Sequence, residues 1–298
     1  MHCGGLGQRA RQLAAHRASS RRRRPGHRHR PLRHHRRRYP RHRGLLHRRA
    51  LAAGRRLTVF GIVVGHRDLG EADRLVRFLT PEFGRLAAVA RGARRSKKRF
   101  SGALQPGTEL ELDLRQGRGS LPTLQGCTIV RAPRRVRDDV ERIALMLYGC
   151  QLCSELAPEG GEARKLTRLL STWLDLLDGE AKPSVASRIA LEAKALTFSG
   201  FTPALLHCAA CGEVISDKPL FESGAGGALH PWCGTGRSVD LDVLVNIERL
   251  RRTPLSETPT MSWQGPAWLV GDFVRYQLGH ALSARDLLDD PLTRGPEP

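Results

Sequence analysis

The sequence contains no stretch of about 18 consecutive apolar residues, so no membrane-spanning helix is expected. It also lacks several motifs that mark common chemistries. There is no phosphate-binding GxxxxGK loop, no GxGxxG dinucleotide fingerprint, no HExxH metal-hydrolase helix and no GxSxG nucleophile elbow. The seven cysteines are odd in number and unevenly spread, and no apolar secretion signal accompanies them. A reducing cytoplasm fits them better than a disulfide framework. The most telling absence lies at the start: residues 1–56 hold no Lys, Asp or Glu, yet carry 19 Arg and eight of the 12 His.

That segment dominates the bulk charge. The formal +21 falls to about +2 over the remaining 242 residues, which hold 31 Lys and Arg against 29 Asp and Glu. Any nucleic-acid affinity of the folded part must therefore come from local clustering. Rich in charge and poor in large apolar residues, residues 1–56 cannot offset the entropy of ordering and are expected to be disordered. A nucleic-acid-binding tail is one reading. A targeting peptide is another, but the segment has neither an apolar core nor a Ser-rich amphipathic pattern. The composition favours a third, GC-rich DNA translated upstream of the true start. No function is assigned to it.

The length allows about two domains. Residues 57–135 read as β-structure. Val59 to Val64 is a β-branched apolar run, a second run holds Leu75, Phe78 and Leu79, and a third spans Arg85 to Ala90. Glu109 to Leu114 alternates polar and apolar, and a last strand lies between Leu121 and Val130, after a turn at Gly117–Gly119. Five short strands in about 75 residues predict a small barrel of the OB type. Residues 136–290 switch to helical periodicity. The stripes are Val140-Ile143-Ala144-Leu147-Cys150, Leu166-Leu169-Leu170-Trp173-Leu174-Leu177 and Ile189-Ala190-Ala193-Leu196, each read with a charged opposite face. A Gly-rich insertion at 205–236 interrupts the helices, which resume near Leu241 and Leu269, and residues 291–298 are expected to fray. The fold class is α+β: an OB barrel, then an all-α domain carrying a zinc-ribbon-like finger.

Two local signals carry chemistry. Cys208 and Cys211 form one close pair, and His230 and Cys233 form another 18 residues later, the arrangement of a structural zinc ribbon. Four protein ligands leave no open position for water, so Zn2+ there would be structural, one per chain. His207 is a rival for the fourth ligand. Cys150 and Cys153 lie within a helical stripe and read as small hydrophobes; Cys127 and Cys3 carry no role. The second signal is Arg91, Arg94, Arg95, Lys97, Lys98 and Arg99, six cations in nine residues after a predicted strand, able to pair with phosphates and release counterions. Phe100 offers either a base-stacking face or a core side chain, and Arg67, Arg74, Arg77 and Arg85 are candidates to extend the patch. Asp68, Glu71 and Asp73 invite a metal-nuclease reading, but no matching carboxylates or histidines support it.

The run GIVVGHRDLGEADR from Gly61 to Arg74 resembles the opening of RecO proteins. So do Leu79-Thr80, Phe83-Gly84, the stretch VARGARRSK from Val89 to Lys97, and FSGALQP from Phe100 to Pro106. The resemblance weakens after Gly119 and returns at LTFSGFTP, Leu196 to Pro203, before the cysteine segment. It implies an OB barrel followed by a helical domain with a zinc-binding insertion. It implies a non-enzymatic recombination mediator of DNA repair, binding single- and double-stranded DNA, annealing complementary strands and working with RecR. It further implies contact with the C-terminal tail of single-stranded-DNA-binding protein and, indirectly, help in loading RecA. Carried onto matching positions, Arg91, Arg94, Arg95, Lys97 and Lys98 become expected DNA contacts and the two pairs become zinc ligands. His230 departs from the family's four-cysteine pattern. The rival function is a zinc-ribbon factor that binds RNA or a polymerase.

Overall fold

The computed structural model describes residues 56–96, 99–100, 102–116, 121–266 and 268–289. The expected disorder of residues 1–55, the turn at 117–119, the fraying at 291–298, and Lys97 and Lys98 lie outside them.

Five strands make a closed barrel: β1 (Leu57–Leu69), β2 (Asp73–Thr80), β3 (Gly84–Ala90), β4 (Glu109–Arg115) and β5 (Thr123–Arg131). They follow the order β1-β2-β3-β5-β4, antiparallel throughout except for the parallel contact of β3 with β5 at Val89 and Thr123. This is the OB arrangement. Alternation decides what faces in: Leu110, Leu112 and Leu114 of β4 are fully buried, whereas Glu111 is exposed. Val59 and Val63 of β1 join Phe78, Leu124 and the loop residues Phe100 and Leu104 in the barrel core.

β1 reads as a continuous apolar run because both its faces are covered. Its outward-facing Ile62 and Val64, with Leu79 of β2, belong to the core of the helical domain. The same junction explains Gly84, which has φ +58°; a Cβ there would come within 2.1 Å of the Pro158 carbonyl oxygen. The Arg85 N–H donates to that carbonyl at 3.0 Å, and Arg85 pairs with Glu155 at 3.0 Å.

The helical domain contains α1 (Val140–Leu156), α2 (Arg164–Asp178), α3 (Val185–Phe198), α4 (Leu241–Arg252), α5 (Trp268–Leu278) and α6 (Ser283–Asp289). The amphipathic reading needs correction at α1. Val140 is 60% exposed, while Ala144, Leu145, Met146, Tyr148, Cys150, Leu152 and Cys153 are buried, so this helix is wrapped on most sides and its 3.6 periodicity is erased. Trp173 of α2 lies so close that a Cβ on Gly149 would meet its indole at 2.5 Å, and the indole N–H donates to the Leu145 carbonyl at 3.0 Å. The charged opposite face expected for α3 also fails at Glu192, which is fully buried. It accepts a 2.7 Å hydrogen bond from Tyr148 and lies 3.6 Å from Arg285 of α6. Burial of that carboxylate next to a cation and a phenol is what the sequence pattern could not show. Among the described residues, no helix is long and apolar enough to cross a membrane.

Between α3 and α4 the chain forms a finger built on a three-stranded sheet of β6 (Leu220–Glu222), β7 (Gly227–Leu229) and β8 (Arg237–Ser238). Its Leu205, Ile215, Phe221 and Leu229 pack into the helical core, which fixes its base.

Candidate nucleic-acid interface and metal centre

In the finger, each close pair of candidate ligands sits on its own tight turn. Gly212, at φ +82°, donates its N–H to the Cys208 carbonyl at 2.8 Å, and the Cys233 N–H donates to the His230 carbonyl at 2.9 Å. The turns bring Cys208, Cys211, His230 and Cys233 together with all ligand atoms within 4.8 Å of one another. His230 Nδ1 is 3.5 Å from the Cys211 sulfur and 3.8 Å from that of Cys233. Ligand atoms at tetrahedral metal–sulfur and metal–nitrogen distances would sit roughly 3.5–3.8 Å apart. The donor set therefore matches a closed four-coordinate ion. The other imidazole nitrogen, Nε2, is 3.1 Å from the Val214 carbonyl oxygen, an outer contact that aims Nδ1 inward. Burial opposes ionisation of the Cys208 thiol, but N–H groups of Cys211, His230 and Ala210 outweigh it and bring the thiol down to about 6. Burial and the neighbouring Cys211 and Cys208 thiols push Cys233 up to about 11. One thiolate forms readily and opposes the next, a situation a divalent cation relieves.

His207 is exposed and outside this group, paired instead with Val214 through a β-bridge. Cys150 and Cys153 are fully buried; burial pushes the Cys150 thiol up to about 12 and Cys153 higher still, which suits inert packing groups.

The basic loop divides into two parts. Arg94 donates to the Gly70 carbonyl at 3.0 Å and lies 3.4 Å from Asp68, and Arg95 is 3.1 Å from Glu71. Arg74 also holds Asp68, at 2.9 Å, and the Asp73 carboxylate accepts the Gly92 N–H at 2.8 Å. The three carboxylates that suggested a metal nuclease are thus pinning the loop to the β1–β2 turn. The Arg74 hydrogen bond is the main cause of the Asp68 carboxyl lying below its ordinary range, ahead of the opposing effect of burial.

Arg91 and Arg99 lie elsewhere. With Arg115 at the end of β4 they line a groove of about 520 Å³, together with Gln116, Thr123 and Gln125 at the start of β5. Arg99 donates to the Arg91 carbonyl and stacks its guanidinium 4.6 Å above the Phe100 ring. Phe100 is only 4% exposed, so its role is core packing rather than base stacking. No carboxylate pairs with Arg91, Arg99 or Arg115 among the described residues. Arg115, Gln116 and Gln125 were missed from the sequence because the contact of β3 with β5 brings together residues more than 20 positions apart. Of the suggested extensions, Arg74 and Arg85 are tied to carboxylates, the Arg77 guanidinium covers Gly65, and Arg67 is exposed.

A family model described as recombination protein O, N terminal, matches residues 55–133, and one described as recombination protein O, C terminal, matches residues 137–286. The chain belongs to the RecO family. It is similar to the DNA repair protein RecO of Myxococcus xanthus strain DK1622, 36% identical over 235 residues, or 76% of this chain and 94% of that one. It is likewise 36% identical to that of Anaeromyxobacter sp. strain K over 246 residues, covering 79% and 96% of the two chains. Against that of Symbiobacterium thermophilum it is 38% identical over 178 residues, covering 59% and 70%. The boundary between the two RecO models falls at the short 3₁₀ turn Arg135–Asp138 that links barrel to α1, and the finger lies within the second.

Proposed function

We propose that this RecO-family chain is a recombination mediator of DNA repair that binds single- and double-stranded DNA and anneals complementary strands without bond chemistry. With RecR it would help load RecA onto single strands coated by single-stranded-DNA-binding protein, whose C-terminal tail it would contact, in the cytoplasm at the nucleoid. The observation that carries this reading is the groove of Arg91, Arg99 and Arg115 on an OB barrel, three guanidinium groups with no carboxylate partner among the described residues. Among the described residues its remaining polar lining is hydroxyl and amide, with no aromatic ring open to stack a base. Such a groove grips phosphates and leaves base edges turned away, available to a complementary strand. Neutralised phosphates repel less, which lowers the barrier to pairing. The repair role is supported by the names of the similar proteins and by both family matches.

Zn2+ is the ion proposed for Cys208, Cys211, His230 and Cys233. It would supply four bonds that lock the two turns of the finger, and its thiolate-rich, closed shell leaves no position for a reacting water.

The test is fluorescence-monitored annealing of complementary oligonucleotides by the full chain, with and without single-stranded-DNA-binding protein. Faster annealing that falls when Arg91 and Arg115 are changed to Glu is expected. No acceleration, or tighter salt-dependent binding to structured RNA than to single-stranded DNA, would overturn the reading.

A further inference from the structure

A second groove, of about 530 Å³, lies where the barrel meets α2. Its walls come from Phe60 and Pro81 of the barrel side and from Arg164, Lys165, Arg168 and Thr172 of the helix. The charge on the helix is one-sided: its first turn holds no acidic residue and no side chain caps it, although cations are unfavourable near a helix N-terminus. Arg164 is partly neutralised, 3.4 Å from Glu162 and 3.7 Å from Glu82. Lys165 and Arg168 are exposed and make no ion pair among the described residues. The hydroxyls along the groove are already used: Thr167 donates to the Ala163 carbonyl, Ser171 to Glu109 and Thr172 to the Arg168 carbonyl. The donors left facing a ligand are therefore the two cations. Aromatic faces interleave with them, since Phe60 is half-buried in the groove and the Lys165 ammonium lies 5.9 Å from the ring of Phe198, which is 40% exposed.

This groove is separate from the first. On the outer face of β4, Asp113 lies between Arg115 and Glu111, and Glu111 pairs in register with Phe60 at the edge of the second groove. These two carboxylates, within the roughly 13 Å rise of the four strand residues from Glu111 to Arg115, divide the two sets of cations. One polyanion does not cross them without meeting like charge.

We propose that Lys165, Arg168 and Phe60 form a second site for the backbone of a single-stranded nucleic acid, so that one molecule holds two strands on the two sides of an acidic strip. The inference rests on the reading of the chain as a strand-annealing protein and adds the place of the second strand. Cations beside the half-buried ring of Phe60 suit unpaired polynucleotide, whose phosphates and bases both find partners.

The test titrates the full chain with a short fluorescent single-stranded oligonucleotide and compares three variants. These are Lys165→Glu with Arg168→Glu, Arg91→Glu with Arg115→Glu, and all four changes together. Each pair is expected to remove about one equivalent of bound oligonucleotide, and the four together about two. The Lys165 and Arg168 pair should also flatten the salt slope by about 1.4, at roughly 0.7 per lost phosphate contact to a single strand, and slow annealing at saturating oligonucleotide. Unchanged stoichiometry and salt slope in that pair, with loss in the Arg91 and Arg115 pair, would overturn the second site, leave the annealing reading intact and point to an acidic protein surface as the occupant. No loss in any variant would overturn both. Circular dichroism and thermal melts of the exposed charge reversals separate loss of binding from loss of fold.

Discussion

The Nε2 nitrogen of His230 lies 3.1 Å from the carbonyl oxygen of Val214, which sends Nδ1 towards the sulfurs of Cys211 and Cys233. Because a backbone carbonyl can only accept, Nε2 carries the proton and Nδ1 is left with the lone pair a metal needs. His230 is therefore a competent replacement for a fourth cysteine. Its ring is further held by a parallel stack with Trp232, at 4.6 Å between centroids and 5° between planes.

That geometry predicts about one equivalent of zinc per chain by elemental analysis. His230→Ala should lower metal affinity at least about tenfold in a chelator competition, the scale of disturbing a ligand's surroundings alone, and His207→Ala should leave it unchanged. Chelation of the wild-type protein should lower its melting temperature, because ligation and the folding of the finger are coupled. A metal-free protein with the same melting curve would count against the site.

The split of the basic loop makes a second prediction. Arg94 and Arg95 are engaged with Asp68 and Glu71, whereas Arg91 and Arg115 face the groove with no carboxylate partner among the described residues. Exposed ion pairs are weak, about 0–1 kcal/mol, so Arg94 and Arg95 still add some attraction. Changing Arg91 and Arg115 to Glu should nonetheless weaken binding to single-stranded DNA more than the same change at Arg94 and Arg95. Fluorescence anisotropy across a salt series measures both, and equal losses would remove the groove's special standing.

Where the pattern was legible, one physical cause governed it. Leu110, Leu112 and Leu114 alternate because one face of β4 meets the barrel core and the other meets water, and the cysteine pairs are visible because a tight turn fixes their spacing. Where two causes act together the pattern disappears. Ile62 and Val64 point away from the barrel yet are buried by the helices, and α1 is covered on nearly all sides. Glu192 looks like a surface charge in sequence because Tyr148 and Arg285, its partners, come from helices 44 and 93 positions away. The arginine groove was half legible. The loop cations form a run, but Arg115 and Gln125 reach it only through strand pairing, and the ion pairs that set Arg94 and Arg95 apart are tertiary.

The junction of the two domains yields a third prediction. Gly84 has φ +58° and its missing Cβ would lie 2.1 Å from the Pro158 carbonyl oxygen and 2.8 Å from that of Gly161. Gly102 has φ +67°, and a Cβ added there would meet nothing within 4 Å. Gly102→Ala should thus cost only the left-handed backbone strain, about 1–2 kcal/mol. Gly84→Ala should cost more, since backbone on both sides must move. Chemical denaturation of the two variants compares them directly; similar losses would mean that the approach of β3 to Pro158 relaxes easily.

The start of α1 yields the last. Asp139 caps this helix, its carboxylate accepting the N–H groups of Glu141 at 3.0 Å and Arg142 at 3.2 Å, while Lys182 sits 2.8 Å from its other oxygen. The Lys182 hydrogen bond, more than burial opposes it, holds the Asp139 carboxyl below its ordinary range. A carboxyl with a lowered folded-state pKa contributes stability that is present above its unfolded value, about 3.9, and is lost as pH falls through the folded one. Asp139→Ala should cost about 1 kcal/mol at neutral pH, the usual worth of an N-cap. Asp139→Asn keeps a capping oxygen but no charge, so its deficit against wild type should persist at neutral pH and shrink as pH drops below about 4. Denaturation curves of the two proteins between neutral and acid pH read that difference, and a deficit independent of pH would show that the Lys182 pair adds nothing to the cap.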